Sequence, residues 1–202
     1  MNFTVVCPIH NESEMLPYTL QSIYQLQPDE VIFSLDRCTD KSDEIIHAAA
    51  MEHPSLTRVI YYEDKDGKDW TYRPAYLRRT AYREARNNTI LNTSADIILD
   101  PATKRFLPGI TGATIFGFLD RPWTPQCFIR HLAGAAGLHG YSGLIAFSRE
   151  AWLKTEDQEE VKRIPRAEDT HLLRAIETKY PINYVNTVSF HLRPSESAED
   201  HY

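Results

Sequence analysis

An α/β fold with a mostly parallel sheet flanked by helices is what this sequence predicts, on three observations. Between residues 3 and 100, short β-rich runs alternate with helical patterns, the signature of βαβ units joined by right-handed crossovers. The loops after three of those runs, Pro8 to Asn11, Asp36 to Asp40 and Ser94 to Asp96, are polar or acidic. Open parallel sheets bind ligands beyond the carboxyl ends of their strands, so these loops fall where a ligand belongs. Finally, 202 residues with 42% apolar and 25% charged side chains can bury one good-sized core, which favours a single domain over two.

Taken in order, Phe3 to Pro8 is a β-rich run ended by proline. A helical pattern beginning at Asn11 then puts Leu16, Leu20, Ile23 and Leu26 at spacings of three and four. Gln27 to Glu30 reads as a turn and Val31 to Leu35 as a second strand. Asp36 to Glu44 leads into a helix with Ile45, Ile46 and Ala49 on one face, and Thr57 to Tyr62 is a third strand. Glu63 to Asp69 is too charged for a core and reads as a surface loop, a candidate lid. Trp70 to Arg86 is expected to be a helix broken near Pro74, carrying Arg78, Arg79, Arg83 and Arg86.

The stretch Asn88 to Asp100 holds an apolar run at Ile90 and Leu91 that stops at a small, acid-bearing turn. Ser94 and Ala95 are small enough for a ligand to approach the backbone, and Asp96 offers the hard oxygen donors that divalent cations select. An ordinary strand and turn accounts for the same residues, because Asn, Ser and Asp favour turns.

After Asp100 the alternation stops. Residues 101 to 140 contain four prolines and six glycines among Phe116, Phe118, Trp123 and Phe128, so irregular structure shaping a second binding region is expected. Gly109 to Phe118 is apolar enough to lie against a membrane surface. Tyr141 to Phe147 is strand-like, Arg149 to Trp152 starts a short helix, and Glu168 and Asp169 open a helix whose Leu172, Leu173 and Ile176 face inward. Acids at a helix start are stabilised by its dipole, a purely structural reason for that pair. Ile182 to His191 is a last strand, and a polar tail follows from Pro194.

With 22 basic against 28 acidic residues, the net charge of −6 argues against a nucleic-acid partner. Cys7, Cys38 and Cys127 are an odd number without metal-ligand spacing, so reduced thiols are expected. The first residues lack the basic and apolar stretches of a signal peptide and no run is long enough for a membrane span, which points to the cytoplasm.

Four segments in this order, Val5 to Glu12, Ser34 to Ser42, Ser94 to Asp96 and Glu168 to Thr170, resemble the motifs of the family 2 glycosyltransferases of the GT-A fold, over roughly residues 3 to 176. The resemblance implies one Rossmann-like GT-A domain over residues 1–202. About 1–96 would bind the nucleotide-sugar, about 97–193 would form an irregular acceptor-binding and catalytic part, and 194–202 a flexible tail. It implies an inverting transfer from a nucleotide-diphosphate sugar to an acceptor hydroxyl on a glycan, protein or lipid, assisted by Mg²⁺ or Mn²⁺.

Residue by residue, it implies that Pro8, Asn11 and Glu12 border the nucleobase and ribose and that Asp36 accepts from the base, in a segment that includes Thr39 and Asp40. Arg78 meets the pyrophosphate, Ser94 and Ala95 line the donor site, Asp96 holds the metal, and His191 is an additional metal ligand or phosphate contact. Asp169 is the general base. The family's first metal-motif acid is absent, with Ser94 in its place, and Asp100 is four residues beyond Asp96. That departure keeps open a non-catalytic nucleotide-sugar-binding module. A nucleotidyltransferase is a further alternative, although Cys7 to Asn11 lacks the Gly-rich basic loop such enzymes carry.

Overall fold

In the computed structural model, residues 2–61, 73–121, 144–156 and 168–194 are described. Strand β1 (Phe3–Ile9) lies at the middle of the parallel part of the sheet and is buried along nearly its whole length, which its Val5, Val6 and Cys7 suit. Helix α1 (Leu16–Gln25) leads to β2 (Glu30–Leu35), and α2 (Ser42–Glu52) leads to β3 (Thr57–Tyr61). Helix α3 (Arg73–Glu84) returns the chain to β4 (Thr89–Asn92). The pairs β1–β2, β1–β4 and β2–β3 are all parallel, as the alternating pattern predicts.

Beyond β4 come β5 (Ile97–Ile98), a 3-10 helix (Pro101–Phe106), β6 (Ala113–Arg121) and β7 (Ile145–Ser148). They are followed by α4 (Arg149–Leu153), α5 (Glu168–Glu177) and β8 (Ile182–Pro194). The eight strands form one sheet in the order β3-β2-β1-β4-β7-β6-β8-β5. Its second half is mixed: β7 is antiparallel to both neighbours, β6 and β8 are parallel, and β5 is antiparallel to β8.

Two apolar layers enclose the sheet. On one face Leu16, Leu20 and Ile23 of α1 and Ile46 and Ala49 of α2 pack over Val5, Cys7, Val31, Phe33 and Leu91. On the other, Ala81, Tyr82, Trp152, Leu172, Leu173 and Ile176 cover Val6, Ile32, Ile90, Ile145 and Phe147. Phe147 and Trp152 meet Tyr82 edge-on at ring separations of 4.9 and 5.3 Å, favourable aromatic contacts that join α3 to the later strands.

Several expectations are corrected. Helix α1 begins at Leu16 rather than near Asn11, because residues 12–15 form a turn in which Met15 N–H donates to the Glu12 carbonyl. Helix α3 runs through Pro74 from Arg73 to Glu84, so Arg86 falls beyond the helix end, while residues 70–72 of the expected helix lie outside the described residues. Residues 113–121 are not irregular, although 107–112 are: β6 is a nine-residue strand whose Thr114, Ile115 and Phe116 suit a pleated, buried surface despite Gly117. Because β6 lies between β7 and β8 with Ala113 to Phe116 buried, residues 113–116 are not free to lie against a membrane. Pro194 belongs to β8 rather than to a tail. No helix among the described residues is long and apolar enough to cross a membrane. The candidate lid at Glu63 to Asp69, residues 122–143 and the segment after Pro194 lie outside the described residues.

Candidate functional site

The carboxyl ends of β1, β2 and β4 open onto one rim. At β1, Pro8 is half-buried opposite Ser34, and Asn11 adopts a left-handed backbone (φ +53°), a conformation asparagine tolerates better than most residues. Its side-chain carbonyl accepts from Thr39 N–H at 2.8 Å and from the Thr39 hydroxyl at 3.3 Å, joining the β1–α1 loop to the β2–α2 loop. The same two loops are joined again below. Glu12 N–H donates to Ser42 Oγ at 2.7 Å, and the Asp40 carboxylate accepts from the Ser13 and Ser42 amides, both at 2.9 Å. Burial on its own would raise the Asp40 pKa, but the hydrogen bonds donated by Ser42 and Ser13 outweigh it and hold the carboxyl well below the usual range. Asn11, Thr39 and Asp40 therefore shape the rim as much as they face it.

Asp36 is at the end of β2, and its amide donates to the Ile9 carbonyl at 2.9 Å. His10 donates from Nδ1 to the Asp36 carbonyl at 2.7 Å, while Arg37 Nε approaches Asp36 Oδ1 at 3.7 Å. Burial pushes the Asp36 carboxyl pKa up, with His10 and Arg37 pulling the other way. A partly desolvated carboxylate at such a place is poised to accept from a ligand donor. His10 was not singled out from the sequence; its signal is its position next to Asn11 in the first polar loop.

After β4, residues 93–96 turn the chain toward β5. Ser94 is half-buried and its carbonyl accepts from Ile97 N–H, whereas Ala95 is buried with its carbonyl taken by the Thr19 hydroxyl of α1 at 2.6 Å. Ala95 thus helps fix the turn. Asp96 carries its carboxylate to His191 of β8, whose Nε2 donates to Asp96 Oδ2 at 3.0 Å. The backbone reinforces this meeting, because Leu192 N–H donates to the Asp96 carbonyl at 2.8 Å and His191 stands opposite Ile97 in the β5–β8 pairing.

The two donor atoms fit a divalent cation. Metal–ligand bonds of about 2.1 Å at right angles separate neighbouring donors by about 3.0 Å. The observed spacing is 3.0 Å, so a cation could replace the proton these groups now share. A carboxylate with an imidazole suits Mn²⁺ better than Mg²⁺, which prefers all-oxygen shells. Among the described residues no group of three His, Cys, Asp or Glu side chains converges on a metal position, so most of the shell would have to come from a ligand. Both Asp100 oxygens are engaged by backbone amides: Oδ1 caps the 3-10 helix by accepting from Ala102 N–H, and Oδ2 accepts from Val188 N–H, both at 2.8 Å.

Buried Cys7 lies beneath the rim. Its thiol pKa is pushed far up, first by burial and then by the negative fields of Asp96 and Glu12, while the Arg78 cation opposes them. Arg78 is itself buried on α3. Its neighbours pair with acids: Arg79 and Arg83 with Glu156 at 3.5 and 2.6 Å, and Arg86 with Glu30 at 3.5 Å. Asp169 occupies the first turn of α5, whose apolar face packs beside Trp152.

An open α/β sheet with a polar, acid-bearing rim at the carboxyl ends of its parallel strands and a carboxylate–imidazole pair beyond its fourth strand defines a GT-A type domain. The family described as glycosyl transferase family 2 matches residues 4–107, just over half of the chain, and the chain belongs to that family. Solved structures share the fold. A mannosyltransferase from Pyrobaculum calidifontis in complex with GDP-Man and Mn²⁺ aligns with a TM-score of 0.69 at 20% identity, over 97% of this chain and 58% of that one. TarS 1-349 from S. aureus in complex with UDP aligns with a TM-score of 0.69 at 17% identity, over 94% of this chain and 60% of that one. The chain thus spans about three fifths of these two proteins. The 4-diphosphocytidyl-2C-methyl-D-erythritol synthase from Anaerococcus prevotii is also similar, with a TM-score of 0.64 at 11% identity, over 98% of this chain and 94% of that one. No curated protein sequence matches the chain.

Proposed function

We propose that this chain is an inverting glycosyltransferase that moves a sugar from a nucleotide-diphosphate sugar to the hydroxyl of a glycan, protein or lipid acceptor. The observation that carries the reading is the 3.0 Å meeting of Asp96 with His191 at the rim that Asp36 and the Asn11 loop also border. Asp36 accepts from the nucleobase, with Pro8, Asn11, Glu12, Ser94 and Ala95 bordering the nucleotide. Arg78 directs its planar fork of donors to the diphosphate, a geometry that lysine cannot reproduce. Asp96 and His191 hold the divalent cation, Mn²⁺ or Mg²⁺, which when bound neutralises the charge growing on the leaving diphosphate. Asp169 takes the proton from the acceptor hydroxyl as it attacks the anomeric carbon from the side opposite the leaving group. A single displacement inverts that carbon and needs one base, whereas glycoside hydrolysis requires a second carboxyl to protonate the leaving oxygen.

Calorimetry with UDP- and GDP-sugars in the presence of MnCl₂ tests the reading, and failure to bind any common nucleotide-sugar overturns it. Asp169→Asn is expected to bind the donor normally while turnover falls by about 10²–10⁴-fold. Ser94, together with the lack of a third converging metal ligand among the described residues, favours a second reading as a non-catalytic nucleotide-sugar-binding module. An inactive wild type that gains activity through Ser94→Asp would decide for it.

A further inference from the structure

Strand β8 does not run evenly beside β6. The register proceeds from Ala113↔Ile182 to Gly117↔Asn186 and then jumps to Phe118↔Ser189, so Thr187 and Val188 are two extra residues in β8. Had the register run on unbroken from Gly117↔Asn186, Val188 would stand opposite Leu119 and Ser189 rather than His191 opposite Ile97. Bulges commonly re-aim a side chain beside a functional site, and this one determines which residue reaches Asp96.

Buried polar groups hold the irregularity. The Thr187 hydroxyl donates to the Gly117 carbonyl at 3.0 Å and lies 3.1 Å from Ser189 Oγ, and both side chains are buried. Ser189 Oγ accepts from the Asp100 amide at 3.0 Å, and Asp100 Oδ2 accepts from Val188 N–H at 2.8 Å. Asp100 thereby continues the β5–β8 ladder beyond Ile98↔Phe190, with a carboxylate in place of a main-chain carbonyl.

We propose that Asp100, Thr187 and Ser189 are positioning residues that lock the β8 bulge and so aim His191 at Asp96. The inference deepens the metal-assisted reading above and rests on it for its functional consequence. Groups that orient metal ligands typically change metal affinity by about 10–100-fold when removed.

The test uses Thr187→Val, Ser189→Ala and their combination, which leave the Asp100 cap on the 3-10 helix in place, together with Asp100→Ala. Free Mn²⁺ is measured by electron paramagnetic resonance during MnCl₂ titrations with UDP or GDP, and the metal-free double variant is crystallised. The double variant is expected to weaken Mn²⁺ uptake by about 10–100-fold and to carry His191 Nε2 beyond about 3.5 Å from Asp96. If His191 keeps its 3.0 Å contact in the double variant, the inference is wrong, whatever the metal does. If wild type and His191→Ala take up Mn²⁺ equally, the metal reading fails instead, and the crystallographic distance still decides the inference. Asp100→Ala should move both measurements in the same direction; unchanged values in it also overturn the proposal.

Discussion

Replacing Glu30 by Ala should cost the protein about 3 kcal/mol of stability without touching the ligand rim. Glu30 is a charged side chain with 1% exposure. It accepts from the Thr4 hydroxyl at 2.8 Å, from the Arg86 amide at 2.8 Å and from Arg58 Nη1 at 3.1 Å. Removing one partner of a buried ion pair costs about 3–5 kcal/mol. The lower end applies here, because Arg58 keeps Glu84 at 2.6 Å and the Arg86 side chain is two-thirds exposed, so neither cation is stranded. The neutral donors lose more: Thr4 is fully buried, and each unsatisfied group contributes about 1–3 kcal/mol. Urea melts of wild type and Glu30→Ala measure the loss, and for a chain of this size it corresponds to a fall in Tm of about 6–12 °C. Asp36 lies roughly 20 Å further along the same strand, so nucleotide affinity measured well below the melting range should not change. A stability loss under about 1 kcal/mol would refute the argument that this network is a buried anchor.

Three further outcomes are expected. Asp40→Ala should lose about 1–2 kcal/mol at neutral pH, where the wild-type carboxylate accepts two loop amides. Because the folded-state pKa of Asp40 is depressed, its contribution is fully present above the unfolded value near 3.9 and is lost as pH falls through the folded value, so urea melts of the two proteins should converge under strong acid. Asp36 has the opposite sign: its raised pKa makes the ionised form a cost to the folded protein at neutral pH, so Asp36→Asn should melt higher without ligand while binding nucleotide about 10–100-fold more weakly, as calorimetry would read. A Cβ at Gly112 would stand 2.0 Å from the Pro181 carbonyl oxygen, so Gly112→Ala must push β6 from the turn before β8, and denaturant melts should show a loss of about 1–3 kcal/mol.

The parallel half of the fold was legible because each of its strands and helices carries a local pattern. Leu16, Leu20 and Ile23 recur on one helix face, and Ile90 and Leu91 sit in a short apolar run, so period and boundary appear within a few residues. Strand β6 was hidden because Gly109, Gly112, Gly117 and the nearby prolines break the local signal, and its stability comes from β7 and β8, drawn from distant sequence. Glu30 was hidden for the same reason. Beside Pro28 and Asp29 it reads as a turn residue, and the partners that make it a buried anchor lie 26 to 56 residues away. The rim shows the same division. Asp36 and Asp96 follow recognisable strands, whereas the contact of His191 with Asp96 joins residues 95 apart and depends on a register shift that no local pattern announces.

The arginines of α3 illustrate how tertiary contacts separate residues that composition groups together. Arg79 and Arg83 converge on Glu156, which immediately follows α4, and the Arg83 guanidinium also lies 5.8 Å from the Trp152 ring centre. From the other side, Arg149 at the start of α4 donates through Nε to the Tyr82 carbonyl at 2.8 Å and through Nη2 to the Arg83 carbonyl at 2.5 Å, satisfying acceptors in the last turn of α3. Tyr82 then donates from its phenol to Asn92 of β4 at 2.9 Å. Arg58 binds the Glu84 carboxylate and carbonyl, tying the end of α3 to β3 as well. The C-terminal half of α3 is therefore held from β3, β4 and α4 at once. Arg78 is one helical turn before Tyr82 on this braced segment, and its buried guanidinium acts on the field at Cys7 together with Asp96 and Glu12. If Arg78 meets the diphosphate as proposed, a cation fixed in that way would incur little ordering cost, since its backbone and much of its surroundings are already set. Among Arg78, Arg79, Arg83 and Arg86, only Arg78 is buried.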